Sequence, residues 1–261
     1  MIGKRHEYEA MATCERQLWW YRCLHDLTLR TIQKSNFGQQ AKILDAGCGT
    51  GGLLLYLKEN GFSGAAGFDL SADAVMYAQQ AVDADIRLLD ITRTAHSYPE
   101  NYFDIVISHD ILCLLPDGAE NTAIAQLLTV VKPGGLLLMN LPALESFRGT
   151  HDIAVNIQKR YSLKAIRQLV NGLAQIEETV YWPFFLSPLI FFVRSVQKVK
   201  THFINTKEVV SDVKMQPAFI NRLFYKITKL ENRLLTAKPW GSSLFIVLRK
   251  APGPAGGGEN H

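Results

Sequence analysis

The sequence predicts an α/β protein built on a doubly wound parallel sheet. Three observations predict it. Short apolar strands alternate with helix-period segments between residues 42 and 140. A glycine-rich turn, Gly47-Cys48-Gly49-Thr50-Gly51-Gly52, follows the first strand. A second turn, Lys132-Pro133-Gly134-Gly135, leads into the fifth. The 261 residues suit one such domain with an added cap. At 48% hydrophobic and 20% charged residues, the chain reads as globular rather than disordered.

Each element has its own reason. Residues 5–35 contain no Pro or Gly and space Met11, Leu18, Leu24, Leu27 and Ile32 as a helix does. They predict one N-terminal helix with Trp19, Trp20 and Tyr21 at its middle, and residues 1–40 a helical lid. Residues 42–46 form the first strand. The helix after the glycine turn ends at Gly61, a residue suited to a left-handed cap. Residues 64–69 form the second strand. Ser71 then N-caps a helix whose first turn holds Asp73, a favourable charge for the helix dipole. Residues 86–90 and 103–108 are the third and fourth strands. A helix at 119–131 precedes the fifth strand at 136–140. Beyond residue 142 we expect a helix at 162–171, a strand at 175–181, an irregular helical insertion over 183–238 and a last strand at 243–249. The α/β domain thus covers 41–250, with a cap at about 183–240. The Gly/Pro-rich residues 251–261 predict a disordered tail.

Bulk properties narrow the function. The net charge of +4 is too mild to argue for nucleic acid, and no recognised RNA-binding module is present. Cys14, Cys23, Cys48 and Cys113 form no CxxC pair and no His/Cys cluster at metal-ligand spacing. Reduced thiols, no metal and a cytoplasmic setting are the expectation. No apolar segment of the secretory-signal kind follows Met1–Ala10. The most apolar stretch, Val180–Val193, is broken by Pro183 and Pro188 and is shorter than the roughly 20 residues a spanning helix needs.

The glycine turn admits two cofactors. Gly47, Gly49 and Gly52 satisfy the GxGxxG dinucleotide pattern, whereas Asp45 with Gly47, Gly49 and Gly51 satisfies D-x-G-x-G-x-G. In both, the glycines permit a sharp turn and close approach of a ligand to main chain. Asp45 decides between them. A carboxylate at the end of the first strand faces the ligand crevice. It suits an ammonium or sulfonium and is a poor neighbour for a pyrophosphate. That favours S-adenosylmethionine over a nicotinamide. Asp69, ending the second strand, suits the two ribose hydroxyls, though nicotinamide sites use an acid there too. Asp90, at the end of the third strand, suits the adenine amino group, with a cap or loop acid as its plainer reading.

The segments ILDAGCGTGG, FDLSADAV, IRLLD, FDIVISHDILCLL and VKPGGLLLMN, read in order over residues 41–141, resemble the successive motifs of class I S-adenosylmethionine-dependent methyltransferases. The resemblance implies a Rossmann-like sheet of seven strands with the last antiparallel. It also implies a cofactor-binding set of Asp45, Gly47, Cys48, Gly49, Gly51, Asp69, Leu70, Asp90 and Ile91, with Ser108 and His109 at the methionine end. Many members carry a Glu-His pair shortly after; this chain has Cys113-Leu114 there. Trp19-Trp20-Tyr21-Arg22, Pro142-Ala143, His151-Asp152 and Arg160-Tyr161 further resemble a bacterial subgroup, from which Ile157 and Lys159 depart.

Residues 142–161 follow the fifth strand at its C-terminal end and so overhang the crevice. His151 is the candidate general base there, against a purely structural bond to Asp152 or backbone. Arg160 either binds an acidic acceptor or pairs with an acid of the lid; Tyr161 is a catalytic or packing residue. Trp19 and Trp20 either close over the site or pack in the core. The aromatic stretch 180–193 and the basic residues after it, Arg194, Lys198, Lys200, Lys207, Lys214, Arg222, Lys226, Lys229, Arg233 and Lys238, read as a helical cap. Peripheral contact with an anionic membrane is the other reading. The expected function is in-line methyl transfer to a small-molecule acceptor, lipidic or of the natural-product kind. The alternatives are a nicotinamide-dependent oxidoreductase and a cofactor-binding protein without methyl transfer.

Overall fold

The computed structural model describes residues 5–201, 215–235 and 237–252. The expected tail lies almost wholly outside these residues, as do Lys207 and Lys214 and the side chains of Lys198 and Lys200.

Seven strands form one sheet: β1 (Ile43–Ala46), β2 (Ala65–Asp69), β3 (Ile86–Leu88), β4 (Phe103–His109), β5 (Val131–Pro142), β6 (Ala174–Trp182) and β7 (Ser243–Lys250). Their order is β3-β2-β1-β4-β5-β7-β6, and β7 runs antiparallel to both neighbours. The direction of winding reverses between β1 and β4, so the crevice for ligands lies outside their carboxyl ends. Asp45 and His109 both stand at that point.

Alternation along the strands sorts the core into two layers. Ile43, Ile105, Ile107 and Leu138 face one side, where α2 (Trp19–Lys34) and α3 (Gly52–Glu59) pack. Leu44, Val106, Leu137 and Met139 face the other, against α6 (Ala119–Val130) and α8 (Leu163–Leu169). The helix α4 (Ala72–Ala81) follows β2 with Ser71 as its N-cap, and Gly61 closes α3 at φ 94°, both as expected.

Three expectations need correction. The N-terminal helix is two helices, α1 (Arg5–Cys14) and α2, with residues 15–18 between them. The break is made from 202 residues away. Asn221 accepts from the Trp19 backbone N–H (2.7 Å) and donates to the Gln17 carbonyl (2.8 Å), capping α2 where Leu18 has no side-chain acceptor. The strand β5 begins at Val131 and runs through the Lys-Pro-Gly-Gly turn instead of after it. The expected irregular insertion contains, among its described residues, two long helices, α9 (Ser187–Thr201) and α10 (Ala218–Leu234).

Buried polar locks hold the cap. Glu231 of α10 accepts from the backbone N–H of Phe184 (2.7 Å) and Phe185 (2.8 Å) and pairs with Lys238, both side chains fully buried. Asp26 of α2 accepts from Tyr56 (2.7 Å) and Tyr225 (2.8 Å), joining α10 to α3. Trp182, fully buried, stacks on Trp20 at 5.4 Å, and its Nε1 donates to Asn140 Oδ1 at 2.9 Å. Trp182→Phe leaves that oxygen without its donor, at a cost of about 1–3 kcal/mol. At roughly 2–4 °C per kcal/mol for a chain of this size, thermal denaturation should show a Tm lower by several degrees; an unchanged Tm refutes this role.

Candidate functional site

The crevice at the end of β1 opens into one cavity of about 1240 Å³. Its cofactor side is lined by Asp45, Gly47, Cys48, Gly49, Asp69, Leu70, Asp90 and Ile91. The glycine turn is shaped by backbone need. Gly47 sits at φ 89°, and a Cβ there would meet Ile111 at 2.3 Å. The N–H groups of Gly47 and Cys48 both donate to the Phe68 carbonyl (2.8 and 2.9 Å), hooking the turn to β2. Gly51, at φ 84°, opens α3 as its N-cap and lies behind the lining. Asp69 accepts from the N–H of Gly49 (3.0 Å) and Ser71 (2.9 Å), so it braces the turn as well as facing the cavity. Asp90 caps the short turn Ile91–Arg93, accepting from Thr92 N–H (2.9 Å) and Oγ1 (2.8 Å). It holds its place in the lining while doing so.

A third acid joins Asp45 and Asp69. Glu15, from the break between α1 and α2, accepts from the Thr50 hydroxyl and lies against Gly52. Burial pushes its pKa to about 7, with Asp69 adding to the rise. Burial likewise pushes Asp45 well above the carboxylate range, reinforced by Glu15 and then Asp69. Asp69 is raised by burial against its backbone hydrogen bonds. Among the described residues no Lys or Arg side chain forms an ion pair with any of the three. Three buried acids that no described Lys or Arg side chain pairs with make a site that favours a cationic ligand over an anionic one. These residues fit S-adenosylmethionine, whose ammonium and sulfonium would lie among the acids, with main chain at Gly47 and Gly49 open to close approach.

At the end of β4 the two expected residues separate. Ser108 is fully buried and does not line the cavity. His109 does line it, and its Nε2 lies 2.8 Å from Thr28 Oγ1. That hydroxyl already donates to the Leu24 carbonyl (2.9 Å), so it accepts from His109, which assigns the proton to Nε2 and leaves Nδ1 as an acceptor. Burial, then the neighbouring His25, lowers the imidazole to a pKa of about 3, so it stays neutral. The next residue, Asp110, also lines the cavity. It stands at φ 57°, and its carboxylate accepts from Asn140 Nδ2 at 2.9 Å. Burial raises it to about 7, against Asn140 and the charge of Arg160.

The overhanging segment forms the roof. His151, on the short helix α7 (Thr150–Ala154), lines the cavity. Arg160 forks onto Asp152 (Nε–Oδ1 2.7 Å, Nη2–Oδ2 3.1 Å) and donates to the carbonyls of Ala143 (2.9 Å) and Ser242 (3.3 Å). It therefore pairs with an acid of the lid and also lines the cavity. Tyr161, expected among the catalytic candidates, is 1% exposed, donates to the Leu112 carbonyl (3.2 Å) and is absent from the lining. The Arg160-Tyr161 segment bridges to Ala143 beside the end of β5, which turns the tyrosine inward. Trp19 and Trp20 line the cavity and pack as well, Trp19 edge-on to Phe224 (5.7 Å) and Trp20 on Trp182.

Sequence reasoning missed Glu15, His25 and Asp110. Asp110 follows His109 at the strand end and was findable there. Glu15 carries no local signal, because only the break in the helix brings it to Thr50.

A doubly wound sheet with its last strand antiparallel and an acid-rimmed glycine turn at the switch point is the arrangement that the sequence resemblance implied. Residues 43–135 match the family model described as a methyltransferase domain, in keeping with the resemblance to class I S-adenosylmethionine-dependent methyltransferases. A phosphoethanolamine N-methyltransferase 3 of Arabidopsis thaliana is 28% identical over 186 residues, 66% of this chain and 37% of that protein. This chain therefore spans little more than a third of that relative's length. Among solved structures, a SAM-dependent methyltransferase from Archaeoglobus fulgidus shares the fold at a TM-score of 0.55 and 17% identity, covering 87% of this chain and 94% of that one. The magnesium protoporphyrin IX methyltransferase of Synechocystis PCC 6803, solved with bound SAM, has a TM-score of 0.51 at 14% identity, covering 88% and 81%.

The raised Glu15 pKa has a thermodynamic sign. Its folded value lies above the ordinary 4.5, so its stabilising contribution is full below pH 4.5 and is lost as pH rises through about 7. In the ligand-free protein, Glu15→Gln should remove that part of the fall in Tm with rising pH. A cationic ligand should also release a proton from Glu15. Calorimetric titration with S-adenosylmethionine near pH 7 should then give a heat that depends on the buffer's ionisation enthalpy, less so in Glu15→Gln.

Proposed function

We propose that this chain binds S-adenosylmethionine in the acid-rimmed crevice and transfers its methyl group to a bulky, mainly apolar small molecule. The observation that carries this reading is the cavity itself. Its cofactor side is acidic, and the apolar residues of the rest include Trp19, Ile111, Leu115, Val155, Ile190 and Phe224. At about 1240 Å³ it exceeds the roughly 300–1,000 Å³ of a single-ligand site and has room for two molecules. Phosphoethanolamine, the substrate in the name of the plant relative, fits less well. Arg160 and Arg194, the two Lys or Arg side chains among the described residues of the lining, are both engaged by Asp152.

The bound cofactor supplies an already activated methyl group. The residues of this chain align the acceptor, exclude water and take up its proton where it has one to lose. Asp110 is the proton acceptor we assign. Asn140 holds its carboxylate at the mouth of the cofactor crevice, and a pKa of about 7 suits a base near neutral pH. His151, in the roof above, is the second candidate.

Two experiments test this. Titration with S-adenosylhomocysteine should show binding that weakens about ten- to hundredfold in Asp45→Ala, with no binding of NADH; NADH binding would sink the reading. With an acceptor in hand, kcat/KM should fall as pH drops below about 7, because protonated Asp110 accepts no proton. Asp110→Asn should flatten that limb and lower kcat about a hundredfold. If His151→Ala flattens it instead, the base is His151.

A further inference from the structure

We propose that α9 and α10 rest on an anionic lipid surface and that the acceptor enters the cavity from it. The inference rests on the reading of the cavity as the acceptor site. Along α10, at 3.6 residues per turn, Phe219, Leu223, Leu230 and Leu234 fall in one stripe about 60° wide. All four are exposed, Phe219 at 78% and Leu234 at 68%. Arg222, Lys226 and Arg233, also exposed, form a second stripe directly beside it. The opposite face is fixed to the protein through buried Asn221, Thr228 and Glu231. The one acid of the helix, Glu231, lies on that inner face and is paired with Lys238. An exposed apolar stripe flanked only by cations complements anionic headgroups over acyl chains.

The surface continues into the cavity. On α9, Leu189 and Val193 line the cavity and are nearly half exposed, beside Phe192 at 66%. On α10, Ile220 and Phe224 line it one residue from the exposed Phe219 and Leu223. An apolar strip thus runs from the outer face to the inner wall, beside Arg194, Gln197 and Gln216 of the same lining. No described helix is long and apolar enough to cross a membrane, so the contact is with the surface. An acceptor drawn from it is amphiphilic, with a methylatable head that reaches Asp110 and a hydrocarbon or polyaromatic body along α9 and α10.

The test uses the full chain and vesicles of phosphatidylcholine alone or mixed with phosphatidylglycerol, read by cosedimentation. The protein should bind the anionic vesicles and barely sediment with neutral ones. Phe219→Ser with Leu234→Ser should weaken binding at least tenfold. Arg222→Gln with Lys226→Gln should abolish the preference for anionic lipid. None of these residues lines the cavity, so affinity for S-adenosylhomocysteine should be unchanged, which shows the variants folded and reports the cofactor site separately. Equal binding by wild type and variants, or none by wild type, overturns the proposal. So does a wild-type dimer in sedimentation velocity that the apolar double variant converts to monomer, because the face is then a contact between two copies.

Discussion

One buried carboxylate, Asp152, fastens the roof of the cavity. It takes the fork of Arg160, the guanidinium of Arg194 at 2.8 Å and the N–H of Gly149 at 2.8 Å. Through Arg160 it reaches the carbonyls of Ala143 and Ser242, at the ends of β5 and β7, and through Arg194 it reaches the cap helix α9. Burial alone would raise its pKa, but the two arginines outweigh it and the net shift is downward. A pair this buried adds little net stability over an apolar replacement, yet losing one partner typically costs about 3–5 kcal/mol. Its value is geometric: it sets where His151 stands above the cavity and where α9 begins its run along the rim.

The floor of the same cavity follows the opposite rule. Asp45, Asp69 and Glu15 are buried too, but among the described residues no arginine pairs with them and all three shift upward. The difference lies in the partner, not the residue type. Where the protein supplies the cation, an acid is structural. Where it withholds one, the acid awaits a ligand that brings the charge. The two clusters together make a rigid roof over a floor that gains most when a cation enters.

That distinction explains what the sequence disclosed. Asp45 and Asp69 were legible because strand end, glycine turn and acid are contiguous, so one short segment sets both conformation and chemistry. The strand order and the antiparallel β7 came with the resemblance, since the alternation of elements alone does not orient the last strand. Glu15 was not legible: its position depends on a helix break imposed by Asn221, more than two hundred residues along the chain. Tyr161 misled for a related reason. Its neighbour Arg160 is drawn to Asp152, and the strand-like bridge at Ala143 turns the ring into the core. The cap was legible as helical and apolar. The stripe of α10 lies in the sequence at helical period; what the sequence does not disclose is that it faces outward instead of toward the core.

The outward stripe and the inward acids bear on one chemical problem. Methyl transfer from a sulfonium needs little acid–base help but strict alignment and exclusion of water. Water is excluded most simply when the acceptor's own bulk fills the remaining space, and a cavity large enough for two molecules with apolar walls calls for such an acceptor. An acceptor of that kind is poorly soluble and partitions to interfaces. A chain that methylates it gains by working where it accumulates. The locks on α10 and α9, Glu231 with Lys238 and Asp152 with Arg194, hold the two apolar rims in place before any ligand arrives. On the proposed reading, the surface that meets the acceptor and the site that aligns it are parts of one preorganised wall.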